Sequence, residues 1–541
     1  MADDENSTEE GKKHADPPRA PNLIVFPGGK RAGEGAAPNG SAITTPNQTQ
    51  QYSPFELLLL AGKPPEKDAD RLRRLADEYL GVFRHDGRGY VYLKERSLSE
   101  CWPANSLKTE DVLYDLFDRE TQRLATPGPV KAVWKYMVRR ASKGPAGVAG
   151  RRWCAHAGCI YLDLCDPEGR YVEIDEHGWR LTSNPPVRFE KTDEMAPMPV
   201  PTRGGSVQLL QRYINVPDPG DFHLVVSFMV GCMVPGLPFA VLQVTGPHGS
   251  AKTESACFIM RLLDPQTEDP GGLPASEKEI FITVSKCYAI LFDNASSMDQ
   301  SQSNAICRVT TGGSHRARKF TTNGEQHIIP GHAPVIITAI DSVITASDLS
   351  SRTITIRLPK LTTRRPLGPL LKDFERDQPK ILGALLDVLS HALRHRPTIT
   401  VAGDHRLADF AVVATAAETH SHEVGSFDRV LERNRLRQND DLLDHNPVID
   451  MVVRFIRDRG RFEGTASALL EALTQAFRDE IGIRRTLPGG PHHLSRRLKA
   501  GESLLAANGI DLQQYRDSRT GIRMTSLKLE SCITKEHGHD V

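Results

Sequence analysis

The sequence has little that would mark it for export, for a membrane or for bulk attraction to a polyanion. Nine cysteines in 541 residues are too few for a disulfide-stapled scaffold. The first twenty residues hold no apolar run of the kind a secretory signal needs, so the expected compartment is a reducing cytoplasm. Charge excess is absent as well: 68 Lys and Arg stand against 68 Asp and Glu. A net charge of zero excludes whole-chain electrostatic capture of nucleic acid or an anionic bilayer, and any such partner must be gripped by a local patch. Aromatic residues are sparse at 6%, although 39% hydrophobic residues are enough for a sizeable core. The long uncharged run from Leu224 to Gly246 is interrupted by Pro235, Gly236 and Pro238. It reads as a buried helix followed by a strand, and no membrane partner is expected.

A chain of this length accommodates three to four domains at about 150 residues each. Residues 1–52, rich in Asp, Glu, Gly, Pro, Asn and Ser, read as a disordered tail. An α+β domain is expected over 53–200: a helix, a hairpin turning at Asp86-Gly87, two more helices, then short strands between Cys159 and Glu190. Over 201–400, the runs FAVLQVTG, KCYAILFDN, APVIITAI and RTITIRLP alternate with helical stretches. Each is short and nearly all apolar, as parallel strands buried on both faces require. A helical lid or linker follows over 401–445. Residues 446–541 suggest three helices and a two-stranded tail, a winged-helix-like DNA-binding unit. No internal repeat is present.

Chemistry concentrates in the third of these regions. Gly246-Pro247-His248-Gly249-Ser250-Ala251-Lys252-Thr253 follows an apolar strand and opens a helix, the context of a phosphate-binding P-loop. Backbone N–H groups at the helix start would cradle phosphate oxygens, Lys252 would reach the terminal phosphates of ATP, and Thr253 would bind Mg²⁺. Ala251 stands where a Gly is usual, and its methyl group strains the loop if the backbone there is left-handed. Asp293 ends the strand YAILFD and suits the Mg²⁺ shell. Asn294 occupies the place of a general base, yet an amide cannot accept a proton. Arg316, Arg318 and Lys319 crowd a hairpin-like stretch suited to phosphate contacts. The segment Arg484 to Lys528 carries nine Lys or Arg against three Asp or Glu. Arg496, Arg497 and Lys499 within it are the expected DNA contacts. Cys154, His156, Cys159 and Cys165 have no standard zinc spacing and read as ordinary buried thiols of a β-rich region.

From about Asp68 to Lys528, the order of these parts resembles the AAA+ ATPases close to superfamily 3 helicases and phage-type primase-helicases. Within that group it resembles ATP-binding proteins of prophages and integrative elements. The motifs that carry the resemblance are the 246–253 loop, LFDN, TTGGSHRARKF, PVIITAI, DLSSR and DFERDQPKILGALLDVLSHAL. The resemblance implies an α/β P-loop AAA+ core with a parallel sheet, assembled as a homo-oligomeric ring. Asp293 becomes the Walker B acid, Thr338 takes the place of a sensor that is usually Asn, and Arg352 the arginine finger entering a neighbour's site. Arg318 and Lys319 would lie on the hairpin facing DNA, single-stranded or forked, in the channel. The expected activity is that of an ATP-driven DNA helicase or translocase serving mobile-element replication, with a primase or other replication protein as partner. The alternative is an ATP-gated DNA-binding initiator or regulator with weak hydrolysis, as Asn294 would allow.

Overall fold

The computed structural model describes residues 66–94, 99–318, 326–401, 405–421, 425–478 and 487–530. The expected tail 1–52 and Lys319 lie outside them.

Helix α1 (Asp68–Tyr79) places two acids in its first turn and buries Leu72, Leu75 and Ala76 along one face. It leads into the antiparallel hairpin of β1 (Leu80–His85) and β2 (Arg88–Leu93). Asp86 and Gly87 both have positive φ, at 46° and 76°, as a two-residue turn matched to strand twist requires. After β3 (Glu100–Pro103) come α2 (Leu107–Thr121), capped by the Ser106 side chain, and α3 (Pro127–Ala141), opened by proline. The strands β4 (Ala149–Gly150), β5 (Trp153–His156), β6 (Cys159–Asp163), β7 (Tyr171–Asp175), β8 (Gly178–Thr182) and β9 (Arg188–Glu190) follow. They form a β5-β6-β7-β8 meander, and β4 and β9 extend the first hairpin into a sheet ordered β1-β2-β3-β9-β4.

The next region alternates α4 (Pro219–Cys232), β10 (Val241–Thr245), α5 (Lys252–Leu263), α6 (Glu277–Val284), β11 (Ile290–Ala295) and α7 (Gln300–Thr311). A hairpin of β12 (Gly313–Arg318) and β13 (Gln326–Gly331) precedes β14 (Val335–Ala339), a helical turn Ser347–Ser350 and β15 (Thr353–Arg357). The four apolar runs form one sheet, ordered β11-β14-β10-β15, with every pairing parallel. Every residue of β10 and β14 is buried, which is why these strands read as nearly all-apolar runs. The uncharged stretch 224–246 is divided between α4 and β10, and no helix among the described residues is long and apolar enough to cross a membrane.

Helix α8 (Leu367–His395) runs through Pro379, which lies inside it. The chain at Thr202 crosses this helix so closely that a Cβ at Gly383 would sit 2.0 Å from the Thr202 carbonyl oxygen. Helix α9 (Ala408–Ser421) is followed by α10 (Ser426–Asp444), which the apolar periodicity does not reveal. Its inward Asn434 and Gln438 hydrogen-bond the backbone of β15: Asn434 Nδ2 donates to the Thr355 carbonyl at 2.7 Å, its Oδ1 accepts from Thr355 N at 3.2 Å, and Gln438 donates to the Thr353 carbonyl at 2.7 Å. Strand β15 is a sheet edge, and amide side chains satisfy the groups that a further strand would otherwise take.

The last part holds α11 (Pro447–Arg459), β16 (Arg461–Gly464), α12 (Ala466–Ala476), α13 (Pro491–Ala500), α14 (Glu502–Ala507), β17 (Ile510–Arg516) and β18 (Arg523–Leu529). The sheet is three-stranded, β16-β18-β17, which corrects the expected two-stranded tail. The four-residue RFEG is too short and too polar to have stood out as a strand.

One hydrophobic core runs from Trp153 of β5 through α4, β10 and α8 to Leu431 of α10. At its side Arg152 and Asp264, 0% and 1% exposed, form an ion pair at 2.8 Å. Arg152 also donates to the carbonyls of Asp163, Ala196 and Pro265, and Asp264 accepts from the backbone N–H groups of Tyr288 and Ala289. This network ties the β5–β6 segment to the parallel-sheet region.

Candidate active site

The site is built where β10 gives way to α5. Gly246 has φ 151°, and a Cβ there would come within 2.5 Å of the Leu358 carbonyl oxygen. Gly249 has φ 77°. Ala251, at the N-cap of α5, has φ 59° and ψ 39°, so the non-glycine residue does occupy a left-handed position, at a cost of about 1–2 kcal/mol. Ala251→Gly is therefore expected to raise stability by up to about 1 kcal/mol, since part of the relieved strain is offset by the freer unfolded chain. A urea unfolding midpoint that falls would count against strain at this position.

Lys252 folds over the loop, its Nζ donating to the Gly246 carbonyl at 2.8 Å and the Pro247 carbonyl at 3.1 Å. One residue on, Thr253 Oγ1 donates to Asp293 Oδ1 at 2.8 Å. Thr338 Oγ1 donates to the same carboxylate oxygen at 2.5 Å and accepts from Asn294 N at 2.8 Å. The pairing of β11 with β14 breaks register between Phe292 and Ala295. That irregularity re-aims the strand end, so Asp293 meets residues of two other elements. Asn294 itself has φ 52°. Behind the carboxylate, the thiol of Cys257 is pushed up to about 11, by burial first and by the charge of Asp293 second. The Ser250 hydroxyl is buried and has no hydrogen-bond partner, a polar atom left over on the inside of the loop.

These residues open on a cavity of about 680 Å³. His248, Gly249, Ser250, Ala251, Lys252, Thr253, Asp293, Asn294 and Thr338 all line it, so the structure brings together the loop, the strand-end acid and the threonine of β14. Residues that sequence reading did not single out complete the walls. Arg364 and Arg365 line the cavity, and the Arg364 guanidinium lies against Gly249. Asn215 braces the loop, its Nδ2 donating to the carbonyls of Ser250 at 3.0 Å and Pro359 at 2.7 Å. A signal for the arginines exists: they fall just past the carboxyl end of the last sheet strand, the side on which parallel sheets bind ligands. Several backbone N–H groups at a helix start, three cations and an orphaned hydroxyl fit a polyphosphate. Thr253 and Asp293 offer hard oxygen donors that fit Mg²⁺.

Arg352 does not join this cavity. It directly precedes β15, whose Thr353 pairs with Val241 at the start of β10, whereas the loop follows the other end of β10. The two sites are thus separated by the length of the strand, roughly 13 Å at 3.3 Å per residue. Its side chain is 13% exposed and contacts Asp348 at 3.4 Å, and Arg406 meets the same Asp348 oxygen at 2.9 Å. Burial opposes charge on Asp348, but the Cys307 thiol and the two guanidinium groups hold its carboxyl below the usual range.

In the hairpin, Arg316 is exposed and Arg318 pairs in register with Gln326. On α13, Leu494 and Leu498 are buried while Arg496, Arg497 and Lys499 face solvent. Cys154 is buried, and burial raises its thiol to about 12. Among the described residues the donor atoms that cluster are those of Cys159, Glu173 and Asp175. Arg180 already pairs with both of those carboxylates.

A family model for the actinomycete integrative conjugative element replication protein matches residues 207–443, which hold the loop, Asp293, Thr338 and Arg352. A model for the AICE RepA C-terminal domain matches residues 448–536. The expected resemblance to proteins of integrative elements is met by these two matches. No curated protein matches the chain. Among solved structures, the SCCmec type IV Cch active helicase is 11% identical, with 83% of this chain and 93% of that one covered and a TM-score of 0.43. The apo NrS-1 C-terminal region is 10% identical, with 86% and 100% covered and a TM-score of 0.38.

Proposed function

We propose that this chain, similar over residues 207–443 and 448–536 to replication proteins of actinomycete integrative conjugative elements, is an ATP-hydrolysing, ring-forming DNA helicase or translocase of mobile-element replication. The observation that carries the reading is the convergence of Thr253 and Thr338 on one oxygen of Asp293 beneath a loop lined with backbone donors and cations. In this reading the 246–253 loop is a P-loop in an AAA+ core. Lys252 exchanges its two carbonyl partners for the β- and γ-phosphates, and Arg364 adds charge beside Gly249. Thr253 and Asp293 hold Mg²⁺, which when bound neutralises charge developing between the phosphates. Thr338 keeps Asp293 oriented and fixes the Asn294 backbone.

The test is nucleotide titration of Lys252→Ala against wild type. The side chain lies at a loop and serves no core, so the fold is expected to persist while ATP affinity drops at least about tenfold. Equal affinities would remove the P-loop assignment.

A second reading, an ATP-gated DNA-binding switch with slow hydrolysis, is favoured by Asn294, which orients water but accepts no proton. Its positive φ also bears on how to test it: Asn and Asp tolerate that conformation and Glu does not. Asn294→Asp is therefore the suitable variant, and it is expected to raise ATP turnover about tenfold or more by adding a proton acceptor. A rate that stays level or falls in the folded variant would mean that another group is the base. ATP turnover with and without single-stranded DNA separates motor from switch.

DNA contacts are assigned to Arg316 and Arg318 of the hairpin, to Lys319, which lies outside the described residues, and to Arg496, Arg497 and Lys499 on the exposed face of α13, in a winged-helix arrangement of α11–α14 with β16–β18. Neutralising the hairpin set should lower the salt slope of single-strand binding by about 0.7 per lost phosphate contact. If only the α13 set changes the slope, the channel role of the hairpin falls.

A further inference from the structure

A third basic surface lies far in sequence from both assigned DNA-contact sets. Between Thr121 and Leu162 the chain has no Asp or Glu, yet it carries Arg123, Lys131, Lys135, Arg139, Arg140, Lys143, Arg151 and Arg152. Arg123, Arg140, Arg151 and Arg152 pair with carboxylates from elsewhere in the chain, which leaves Lys131, Lys135, Arg139 and Lys143 as the exposed cations that set the local sign of charge. Helix α3 presents Lys131, Lys135 and Arg139 to solvent at four-residue steps, a row with about 6 Å between successive cations. The opposite face, Val130, Val133 and Met137, is buried.

The row leads into a groove of about 670 Å³ whose lining includes Lys94, Arg139, Arg140 and Lys143, with tyrosine walls at Tyr92 and Tyr136 and no carboxylate. The floor is made smooth by glycine. A Cβ at Gly81 would strike the Tyr92 ring at 2.1 Å, so that ring lies flat across β1. The Arg188 guanidinium stacks on Tyr92, 3.5 Å from the ring centroid. Below the groove, Asp77 fixes part of the charge array: Arg140 pairs with it at 2.7 Å, the Tyr136 hydroxyl donates to it at 2.8 Å, and Lys94 donates to its backbone carbonyl at 2.7 Å. Arg139 and Lys143 are exposed and have no carboxylate partner among the described residues. Asp77 thus pairs with Arg140 and holds Lys94 through its backbone carbonyl, while Arg139 and Lys143 keep their full charge.

We propose that this groove of the amino-terminal region binds single-stranded DNA through its phosphates, with Lys94, Arg139 and Lys143 as contacts. A recessed, cation-lined channel with aromatic walls suits a flexible single strand, which can enter it and lay a base against Tyr136. A stiff duplex meets mainly the rim. The inference does not rest on the nucleotide reading.

The test is fluorescence anisotropy of a labelled oligo-dT, without nucleotide, across a salt series. Full-length wild type is compared with Arg139→Glu/Lys143→Glu and with the charge-keeping Arg139→Lys/Lys143→Arg. Both positions are exposed, and thermal melting checks that the fold is kept. Charge reversal is expected to lower affinity about tenfold or more and to reduce the log–log salt slope by about 1.4, two contacts at about 0.7 each, with the charge-keeping variant close to wild type. Photocrosslinking to bromodeoxyuridine-substituted strand should label the peptide containing Tyr136 in the wild type and not in the charge-reversed form. Unchanged affinity and slope, crosslinks confined to the hairpin and α13, or a loss seen with polyglutamate but not with oligo-dT would overturn the proposal. Because ATP is absent, failure of the Lys252 experiment leaves this result standing, and the reverse is equally true.

Discussion

Arg352→Ala is expected to keep ATP affinity and lose turnover by roughly a thousandfold, the scale on which arginine fingers act. Arg352 lies at the amino end of β15 and the cavity at the carboxyl ends of the same sheet, so in its own subunit it does not reach the phosphates. A catalytic role then requires a neighbouring copy. Asp348 holds the side chain, shared with Arg406, which fixes its direction before a partner arrives. Mixing decides the matter. In the proposed reading a Lys252→Ala subunit holds ATP weakly but keeps Arg352, while an Arg352→Ala subunit keeps the pocket and lacks the guanidinium. Combining them should rebuild some complete sites and recover part of the activity. If sedimentation shows mixed oligomers and the sample stays inactive, Arg352 does not act in trans, and the switch reading gains.

Asp264→Ala is expected to cost about 3–5 kcal/mol of folding stability, because it strands the fully buried guanidinium of Arg152 without its counter-charge. It also leaves the backbone N–H groups of Tyr288 and Ala289 without their acceptor, and buried donors left unmade add to the loss. Urea denaturation would measure it. The double variant Arg152→Leu/Asp264→Ala should recover part of the deficit, since the penalty belongs mainly to the unpaired charge. A single-variant loss below about 1 kcal/mol would mean that water or another acid reaches Arg152. Arg152 and Asp264 lie over a hundred residues apart, and neither stands out from its neighbours in the sequence.

The parallel strands and the loop between β10 and α5 were legible in the sequence because their causes are local. A strand buried on both faces is apolar at most positions, and a loop that turns from such a strand into a helix favours Gly at its left-handed points. The left-handed strain at Ala251 followed from the same reasoning. Strands β3, β4 and β5 were not legible, being two to four residues long, too short for a period to register.

Helix α10 marks the limit most clearly. Its inward positions include Asn434 and Gln438, polar because they cap the edge of β15, so no apolar stripe identifies it from sequence. Arg364 and Arg365 carry only the signal of their place past the carboxyl end of β15, and the structure is what sets them in the cavity wall. The sequence by itself determined which segments are strand, loop and helix in the parallel-sheet region, and it singled out the residues proposed for phosphate and metal chemistry, because burial and backbone conformation constrain residue type one position at a time. Only the tertiary structure decided that Thr253 and Thr338 meet one oxygen of Asp293, that Arg352 lies at the other end of the strand from its own cavity, and that Arg139 and Arg140 of α3 line a groove. Those facts depend on how strands are ordered across a sheet and which helix covers which edge. They are relations between distant residues, set by the free energy of the whole packing.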